Sequence, residues 1–485
     1  MGYDDDEVVV QGTTVYDHGA SAVQISNDGN WTKGEKQPTR CNDIPFALFF
    51  YAQLIAMVAV AGVYGYDAFR KAATESAGES MNQYEGYLVS SLIMGAFAVI
   101  LSAGMFFLMF SCAQLLIKIS LIFVTGLSAA SAILAFMQGA YGLGVLCLIF
   151  FFVGVCYAKA VWSRIPFATC NLITAMTAVK ANCGVTIVAY AMVILGFVWS
   201  LIWVVALIGV AETTKVCNDA TGECAYEVDS SAYYGYLFLL LVSFFFTHQV
   251  IQNSVHVSVA GVIGSWWFSP EQNCCCGGSV FGSFFRAMTS SFGSICFGSL
   301  LVALIQATRQ LANTARQEGA DCAALICIAE CILACIESIV EYFNKWAYIY
   351  VGVYGYSYLQ AGKNVMTLFR DRGFEAIIAD DLVSNTLFLV SLMVGLLTGA
   401  VGLLIVTAGT IFPEQTSRGV TLGTAFMIGF IIGLVLTSIL MSVVGSAVNS
   451  VIVLFADAPA EFQQNYPELS NNMRETWRSA FPDSM

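Results

Sequence analysis

The chain has 485 residues, of which 58% are hydrophobic and 11% are charged, and its mean hydropathy is +0.74. A soluble domain carries about 25% charged residues, so this composition excludes a soluble globular protein and predicts an all-α polytopic membrane protein. The net charge of -13 comes from acids in predicted tails and loops. No basic stripe that could follow a phosphate backbone is present, which argues against nucleic-acid binding.

The N-terminal segment, residues 1–45, is polar and acidic and lacks the charged and apolar regions of a cleaved signal peptide. We predict that it is a disordered cytosolic tail. Residues 46–455 form the predicted membrane domain, and residues 456–485 form a cytosolic C-terminal tail. The first membrane span would then direct insertion.

Apolar runs long enough to cross about 30 Å of hydrocarbon, roughly 20 residues, recur along the membrane domain. The sixth and tenth runs are longer than a bilayer requires, so those helices are tilted, kinked or extended into the cytosol. We expect about ten transmembrane helices in one bundle, at about residues 46–66, 88–111, 115–137, 141–162, 185–210, 232–263, 286–310, 321–343, 383–411 and 420–455.

The distribution of basic residues predicts the orientation, because cytoplasmic loops retain Lys and Arg. With the N-terminus inside, fourteen of the 20 Lys and Arg residues fall on the cytosolic side and six fall outside. This bias favours two cytosolic termini, and an even number of spans agrees with it.

Most of the 16 cysteines lie within apolar runs, where a thiol acts as a small hydrophobic group. Cys217 and Cys224 instead flank a short polar loop that the predicted orientation places outside, where an oxidising compartment permits disulfides. We therefore predict a disulfide between them. A second set in a glycine-rich loop is a candidate for lipidation or metal binding, or consists of reduced thiols: Cys274, Cys275 and Cys276.

Three glutamates lie within the eighth apolar run, and an ionisable group at bilayer depth marks a functional site by default. Glu330, Glu337 and Glu341 fall within about 40° of one another around a helix, so they form an acidic stripe on one face. The stripe is interpreted either as a site that attracts a cation or exchanges a proton, or as the wet face of a helix at the inner membrane interface.

The sixth apolar run contains a polar seam. His248, Gln252 and His256 recur every four residues, and Asn253 joins their face. Lipid would leave these groups without partners, so the seam should face the bundle interior. It either lines a substrate path or supplies interhelical hydrogen bonds. Two histidines without a partnering Cys or carboxylate do not indicate a metal site.

Eight aromatic side chains occupy the nineteen positions of EYFNKWAYIYVGVYGYSYL, residues 341–359. Ring faces hold quaternary ammonium ions by cation–π contacts, often beside a carboxylate. Trp and Tyr also collect at membrane interfaces as anchors, so both interpretations remain open. The stretch is either a continuation of the eighth span or an interfacial helix that follows it, over residues 321–361.

Motifs of the common enzyme classes are missing from the sequence, including the nucleophile elbow, the zinc-protease motif, the phosphate-binding loop and the dinucleotide fingerprint. We therefore expect no enzymatic activity, no cofactor and no bound metal. A channel, a secondary transporter and a membrane scaffold remain.

Five long segments resemble the choline transporter-like family, solute carrier family 44, and most closely its fungal-type branch. They are RIPFATCNLITAMTAVKANCGVTIVAY (164–190), HVSVAGVIGSWWF (256–268), RAMTSSFGSICFGSLLVALIQATRQ (286–310) with the stretch from 342 to 383, and FADAPAEFQQNYPEL (455–469). The resemblance covers roughly residues 46–470. It implies a ten-span bundle with cytosolic termini that transports choline or a related amine across the plasma membrane or an organelle membrane. Animal members usually carry a large glycosylated loop after the first span, whereas residues 67–87 are short and lack a sequon.

We therefore interpret the protein as a facilitative or gradient-driven transporter of choline or a related organic cation. Trp199 and Trp203 lie one turn apart on one face of the fifth span, as two walls of a cage would. Glu337 is the first choice for the compensating charge. Further candidates for substrate contact are Tyr190, Asn253, His256, Glu330, Tyr348 and Tyr354. The alternatives are a non-transporting scaffold or trafficking protein, and a cation channel.

Overall fold

The structure is a computed structural model, and it describes residues 40–66, 70, 81–213, 215–217, 224–226, 231–270, 277–317, 323–372, 377–407 and 418–481. The predicted disordered tail falls outside the described residues apart from its last six positions. The prediction for Cys274, Cys275 and Cys276 also lies outside them.

The described chain is almost entirely helical, which confirms the predicted all-α fold. The helices are α1 Ile44–Val60, continued by a π-helical turn Ala61–Gly65, α2 Met81–Met137, α3 Tyr141–Val161, α4 Ile165–Ala181, α5 Gly184–Thr213, α6 Ser231–Phe268, α7 Gly278–Met288, α8 Phe292–Gln317, α9 Ala323–Tyr354, α10 Tyr358–Arg372, α11 Ile377–Thr407, α12 Arg418–Asp457, α13 Pro459–Asn465 and α14 Pro467–Ala480. The exceptions are two short antiparallel strands, β1 Lys215–Cys217 and β2 Cys224–Tyr226.

Eight helical stretches of the described residues are long and apolar enough to cross a membrane. One of them, Val89–Met137, contains the second and third predicted spans, and its backbone is non-helical at Cys112, next to the predicted boundary. Helix α9 is not among the eight, in keeping with its three glutamates. These findings agree with about ten membrane-spanning segments.

Helix α6 is the centre of the bundle, because it packs against α5, α7, α8, α9 and α12. Most buried side chains form one large core around it. A smaller second core lies where α1, α5 and α6 meet, and contains Met57, Ala61, Trp199, Ala206 and Leu240. We use near end for the end of the bundle where α1 begins, and far end for the opposite end.

Helix α4 lies inside the protein and not between two membrane spans as an exposed loop. Ten of its residues are buried, and it packs against α2, α11, α12 and α14. The C-terminal segment is also packed: Met473 is fully buried, and Trp477 lies 5.1 Å from the ring of Phe167. At the near end, α4 and the C-terminal helix α14 are therefore packed parts of the fold and not exposed linkers.

The aromatic stretch continues the eighth span. Helix α9 runs without interruption to Tyr354, Gly355 then adopts a positive φ of 84°, and α10 begins at Tyr358. The five tyrosines from Tyr348 to Tyr358 are buried in the core, and Tyr348 and Tyr350 are each 0% exposed, whereas Tyr342 is exposed. The interpretation that these five tyrosines anchor the protein at the membrane interface is therefore wrong, because their rings pack on protein.

Candidate functional site

A continuous series of polar side chains crosses the interface of α6, α8 and α9. We call it the polar chain, and it consists of Gln249, Asn253, Ser299, Gln306, Glu337, Glu341 and Tyr348. The three helices place these residues opposite one another because α8 and α9 run antiparallel and both pack on α6. Glu337 and Glu341 of the acidic stripe and Asn253 of the polar seam thus belong to one structural feature, whereas Gln252 of the seam is exposed and does not face the bundle interior as predicted.

At its far side, the polar chain begins with an ion pair. Arg309 Nη1 lies 2.8 Å from Glu337 Oε2, and the Glu337 side chain is only 9% exposed. Gln306 Nε2 donates to Glu337 Oε1 at 2.9 Å and to Glu341 Oε1 at 3.3 Å. One amide therefore links two carboxylates one helical turn apart.

In the middle of the polar chain, amide side chains of α6 connect to α8. Gln249 Nε2 donates to Gln306 Oε1 at 3.4 Å. Asn253 Nδ2 donates to Gln249 Oε1 at 3.4 Å and to Ser299 Oγ at 2.9 Å. The candidate residue Asn253 is therefore part of the polar chain.

The polar chain ends towards the near end at Tyr348. Its hydroxyl lies 3.5 Å from Ser299 Oγ and donates to the carbonyl of Ile295 at 2.9 Å. One turn before Tyr348 on α9, Asn344 donates to the carbonyl of Gly298 at 3.0 Å and accepts from the Tyr358 hydroxyl. These bonds hold α8, α9 and α10 in one register.

Both histidines of the seam join helices. His256 contacts Ser446 Oγ at 2.7 Å through Nδ1 and the Lys345 carbonyl at 2.9 Å through Nε2, which ties α6 to α12 and α9. His248 Nε2 lies 3.0 Å from Ser200 Oγ of α5. Within the described residues, no group of three or more His, Cys, Asp and Glu side chains could hold a metal ion.

The tryptophans predicted as cage walls lie at the smaller core instead of the polar chain. Trp199 is 6% exposed and is part of the smaller core. Its indole nitrogen is buried without a hydrogen-bond partner among the described residues. Trp203 donates to the carbonyl of Leu240 at 2.8 Å and lies 4.8 Å from the Phe244 ring.

The remaining candidates lie apart from one another. Tyr190 donates to the carbonyl of Leu436 on α12 at 3.1 Å. Glu330 pairs with Arg316 at 3.4 Å, further towards the far end. Glu337 precedes Tyr354 by 17 positions on one helix, a separation of about 26 Å. The structure therefore does not bring Trp199, Trp203, Tyr348, Tyr354 and Glu337 into one cage.

The sequence analysis did not identify two residues at the far side of the polar chain. Gln306 and Arg309 lie in the seventh apolar run three positions apart, so they share one face of α8. Their three-residue spacing within VALIQATRQ indicates a polar face on this helix. The sequence does not show which helix packs against that face. Gln306 lies 31 positions from Glu337 along the chain.

The two cysteines of the predicted disulfide lie on the paired strands β1 and β2. Cys217 is directly opposite Cys224 in the register of β1 and β2, and opposite residues of an antiparallel pair have Cα separations of about 4.5–5.5 Å, within the range that a disulfide spans. Among the cysteines whose side chains are described, nine are free, in keeping with small hydrophobic roles, and Cys183 is bonded in a disulfide.

This helical bundle with a hydrogen-bonded polar interior is a polytopic membrane protein. A family model described as "Plasma-membrane choline transporter" matches residues 145–460, more than half of the chain. The protein belongs to the choline transporter-like family.

Curated relatives support this family assignment. Protein PNS1 of Debaryomyces hansenii is 28% identical over 380 residues, 73% of this chain and 71% of that protein. A CTL-like protein of Dictyostelium discoideum is 28% identical over 395 residues, 78% of this chain and 67% of the relative. Protein PNS1 of Saccharomyces cerevisiae is 27% identical over 475 residues, 93% and 85% of the two chains. These fungal and CTL-like relatives agree with the predicted fungal-type branch.

Proposed function

We propose that the protein transports choline or a related organic cation, by a facilitative or gradient-driven mechanism, across the plasma membrane with both termini cytosolic. Membership of the choline transporter-like family supports the substrate class. The polar chain between α6, α8 and α9 is the structural observation that carries the proposal.

Polar side chains inside a bundle are costly unless they are paired or face a solute path. Six of the seven residues of the polar chain lie on consecutive steps of hydrogen bonding between Glu337 and Tyr348. Each of these steps is 2.9–3.5 Å long, so a solute can exchange one partner at a time. The series runs without a break from Glu337 to Tyr348, and this continuity supports a carrier over a scaffold.

The charge at the far side of the polar chain suits a monovalent cation. Glu337 and Glu341 contribute two negative charges when ionised, and Arg309 contributes one positive charge, which leaves a net charge of about -1. Coulomb attraction between a carboxylate and a cation strengthens away from bulk water. We propose that the two carboxylates attract the cation, while Gln306 keeps them aligned.

Arg309 competes with an incoming cation for the Glu337 carboxylate. Because Arg309 Nη1 lies 2.8 Å from Glu337 Oε2, an incoming cation must share or replace this arginine. Glu341 contacts Gln306 in the described part of the chain and lies one turn closer to Tyr348 along α9. The cation therefore meets Glu341 as it moves towards Tyr348, whose ring contributes cation–π attraction.

Labelled choline uptake into vesicles containing the purified protein tests this proposal. Gln306→Leu removes the amide that links Glu337, Glu341 and Gln249, so we expect saturable uptake in the wild type and at least a tenfold lower uptake efficiency in the variant. Thr308→Val is the matched control, because Thr308 is exposed on the same helix and bonds only the Leu304 carbonyl of its own turn. Equal uptake by all three proteins would contradict a role for the polar chain, and no uptake by the wild type would support the scaffold.

A further inference from the structure

Four aromatic rings lie together where α6, α9 and α12 end, and one of them bonds a carboxylate. The Tyr354 hydroxyl donates to Asp457 Oδ2 at 2.7 Å. The centroid of the Tyr354 ring lies 5.2 Å from that of Tyr350, 6.1 Å from that of Tyr356 and 6.4 Å from that of Phe268. We call this group the Asp457 cluster, and its members are Phe268, Tyr350, Tyr354, Tyr356 and Asp457.

The backbone around the Asp457 cluster adds negative potential. Helix α6 ends at Phe268, α9 at Tyr354 and α12 at Asp457, and each helix C-terminus carries a partial negative charge of about half an elementary charge. Trp267 Nε1 donates to the Ala458 carbonyl at 2.9 Å, which holds the ends of α6 and α12 together. Helix α13 begins at Pro459, and the partial positive charge of its N-terminus offsets part of this potential, which leaves the Asp457 carboxylate as the main source of attraction for a cation.

The interior of the cluster also holds a polar atom without a satisfied bond. Tyr350 is 0% exposed, and its hydroxyl has no partner in hydrogen-bonding geometry among the described residues, although Asp457 is a neighbour. A buried polar atom of this kind costs free energy unless another group pairs with it. The Tyr350 side chain therefore lies beside the Asp457 carboxylate, and its ring forms part of the cluster.

Ring faces and a carboxylate together define the chemical class of the ligand. An ammonium ion with apolar substituents gains cation–π contact from rings and Coulomb attraction from the acid, whereas an inorganic cation prefers several oxygen ligands. We propose that the Asp457 cluster binds a small organic ammonium ion at the near end of the bundle. The rings touch one another in this conformation, so the ion enters when the ends of α9 and α12 separate.

This inference rests on the proposed function, because it assigns a second holding point for the same class of substrate. The Asp457 cluster is distinct from the far carboxylates, since Tyr354 lies about 26 Å along α9 from Glu337. A cation attracted at the far side would be released through the cluster, or taken up there in the reverse direction.

Equilibrium binding of labelled choline to the purified full chain in lipid nanodiscs tests the inference without requiring transport. Asp457→Asn keeps the shape and removes the charge, and we expect choline affinity to fall roughly tenfold or more. Tyr350→Leu removes a ring face and should weaken binding roughly 2- to 30-fold, while Tyr350→Phe keeps the ring and should bind choline nearly as the wild type does. Tyr236→Leu is the control, because Tyr236 is 54% exposed on the far half of α6.

The same variants separate a cation site from a simple latch between helices. At Tyr354, a cage predicts that Phe retains most of the affinity and Leu loses it, whereas a latch through the hydroxyl predicts equal losses. If Asp457→Asn does not fold, the Tyr350 pair decides the question. Unchanged binding in Asp457→Asn and Tyr350→Leu overturns the inference and leaves the proposed function standing, whereas a wild type that neither binds nor transports choline overturns both. Competition by sodium without competition by tetramethylammonium overturns the ligand class.

Discussion

The ion pair between Arg309 and Glu337 leads to a quantitative prediction about the stability of the α8–α9 interface. Glu337→Gln keeps the volume of the side chain and the hydrogen bond from Gln306, but it leaves Arg309 without its carboxylate. We expect this change to lower the free energy of unfolding, because Glu337 is buried against α8.

The exposure of the two side chains sets the magnitude. Glu337 is 9% exposed and Arg309 is 44% exposed. Fully exposed pairs contribute roughly 0.2–1 kcal/mol, and removal of one partner from a buried pair costs roughly 3–5 kcal/mol. Because Arg309 can turn to water when its partner is lost, Glu337→Gln should cost about 1–2 kcal/mol.

A double-mutant cycle isolates the pair from other effects. Reversible unfolding in mixed detergent micelles, followed by tryptophan fluorescence, gives the free energy of unfolding for the wild type, Glu337→Gln, Arg309→Gln and the double variant. We expect a coupling energy of about 1 kcal/mol, with the double variant less destabilised than the sum of the two single variants.

A second cycle between Arg309 and Glu341 is the matched control, since Glu341 accepts from Gln306 at 3.3 Å and should couple to Arg309 more weakly. A coupling energy below about 0.3 kcal/mol for Arg309 and Glu337, within the usual additivity of independent sites, would refute the reasoning. It would mean that solvent around Arg309 screens the pair completely.

Three other predictions concern packing and topology. Gly298→Ala should destabilise the protein by about 1–3 kcal/mol in the same unfolding assay, because a Cβ at this position meets Tyr348, Tyr358 and Asn344. Gly104→Ala is the control and should be neutral or stabilising, because a Cβ there meets no atom within 4 Å. Equal effects of the two substitutions would contradict this packing. Cys217 and Cys224 should be recovered as a disulfide when protein from intact cells is alkylated and analysed by mass, whereas two alkylated thiols would exclude the bridge. Epitope tags at either terminus should bind antibody only in permeabilised cells, and staining of intact cells at one end would mean that the number of spans is odd.

Hydrophobic length was a sufficient signal for most of the helices. The predicted run 232–263 corresponds to Ser231–Phe268, and the run 420–455 corresponds to Arg418–Asp457, because lipid requires a long apolar helix whatever its neighbours are. The eighth span was placed too short for a physical reason. Its polar residues after position 343, including Asn344 and Lys345, contact protein in place of lipid, so hydropathy understates the length of α9.

The site was less predictable because its bonds join distant parts of the chain. The face of Glu330, Glu337 and Glu341 followed from helical spacing, but the arginines that pair with two of them come from α8. Likewise, the tyrosines after Glu337 suggested a cage around that residue, yet the rings of Tyr350 and Tyr354 meet Asp457, 103 positions beyond Tyr354. The spacing of residues within one helix predicts which of them share a face. Which helix packs against that face is seen only in the folded structure.

Transport itself is tested most directly by counterflow. Vesicles containing the purified protein are loaded with unlabelled choline and diluted into a trace of labelled choline. A carrier that alternates between two sides exchanges inner for outer choline, so the label should accumulate transiently above its equilibrium level and then decay, and Gln306→Leu should reduce this overshoot. Entry of label to equilibrium without an overshoot would indicate a channel, and no entry above that of protein-free vesicles would contradict the assignment as a transporter of choline.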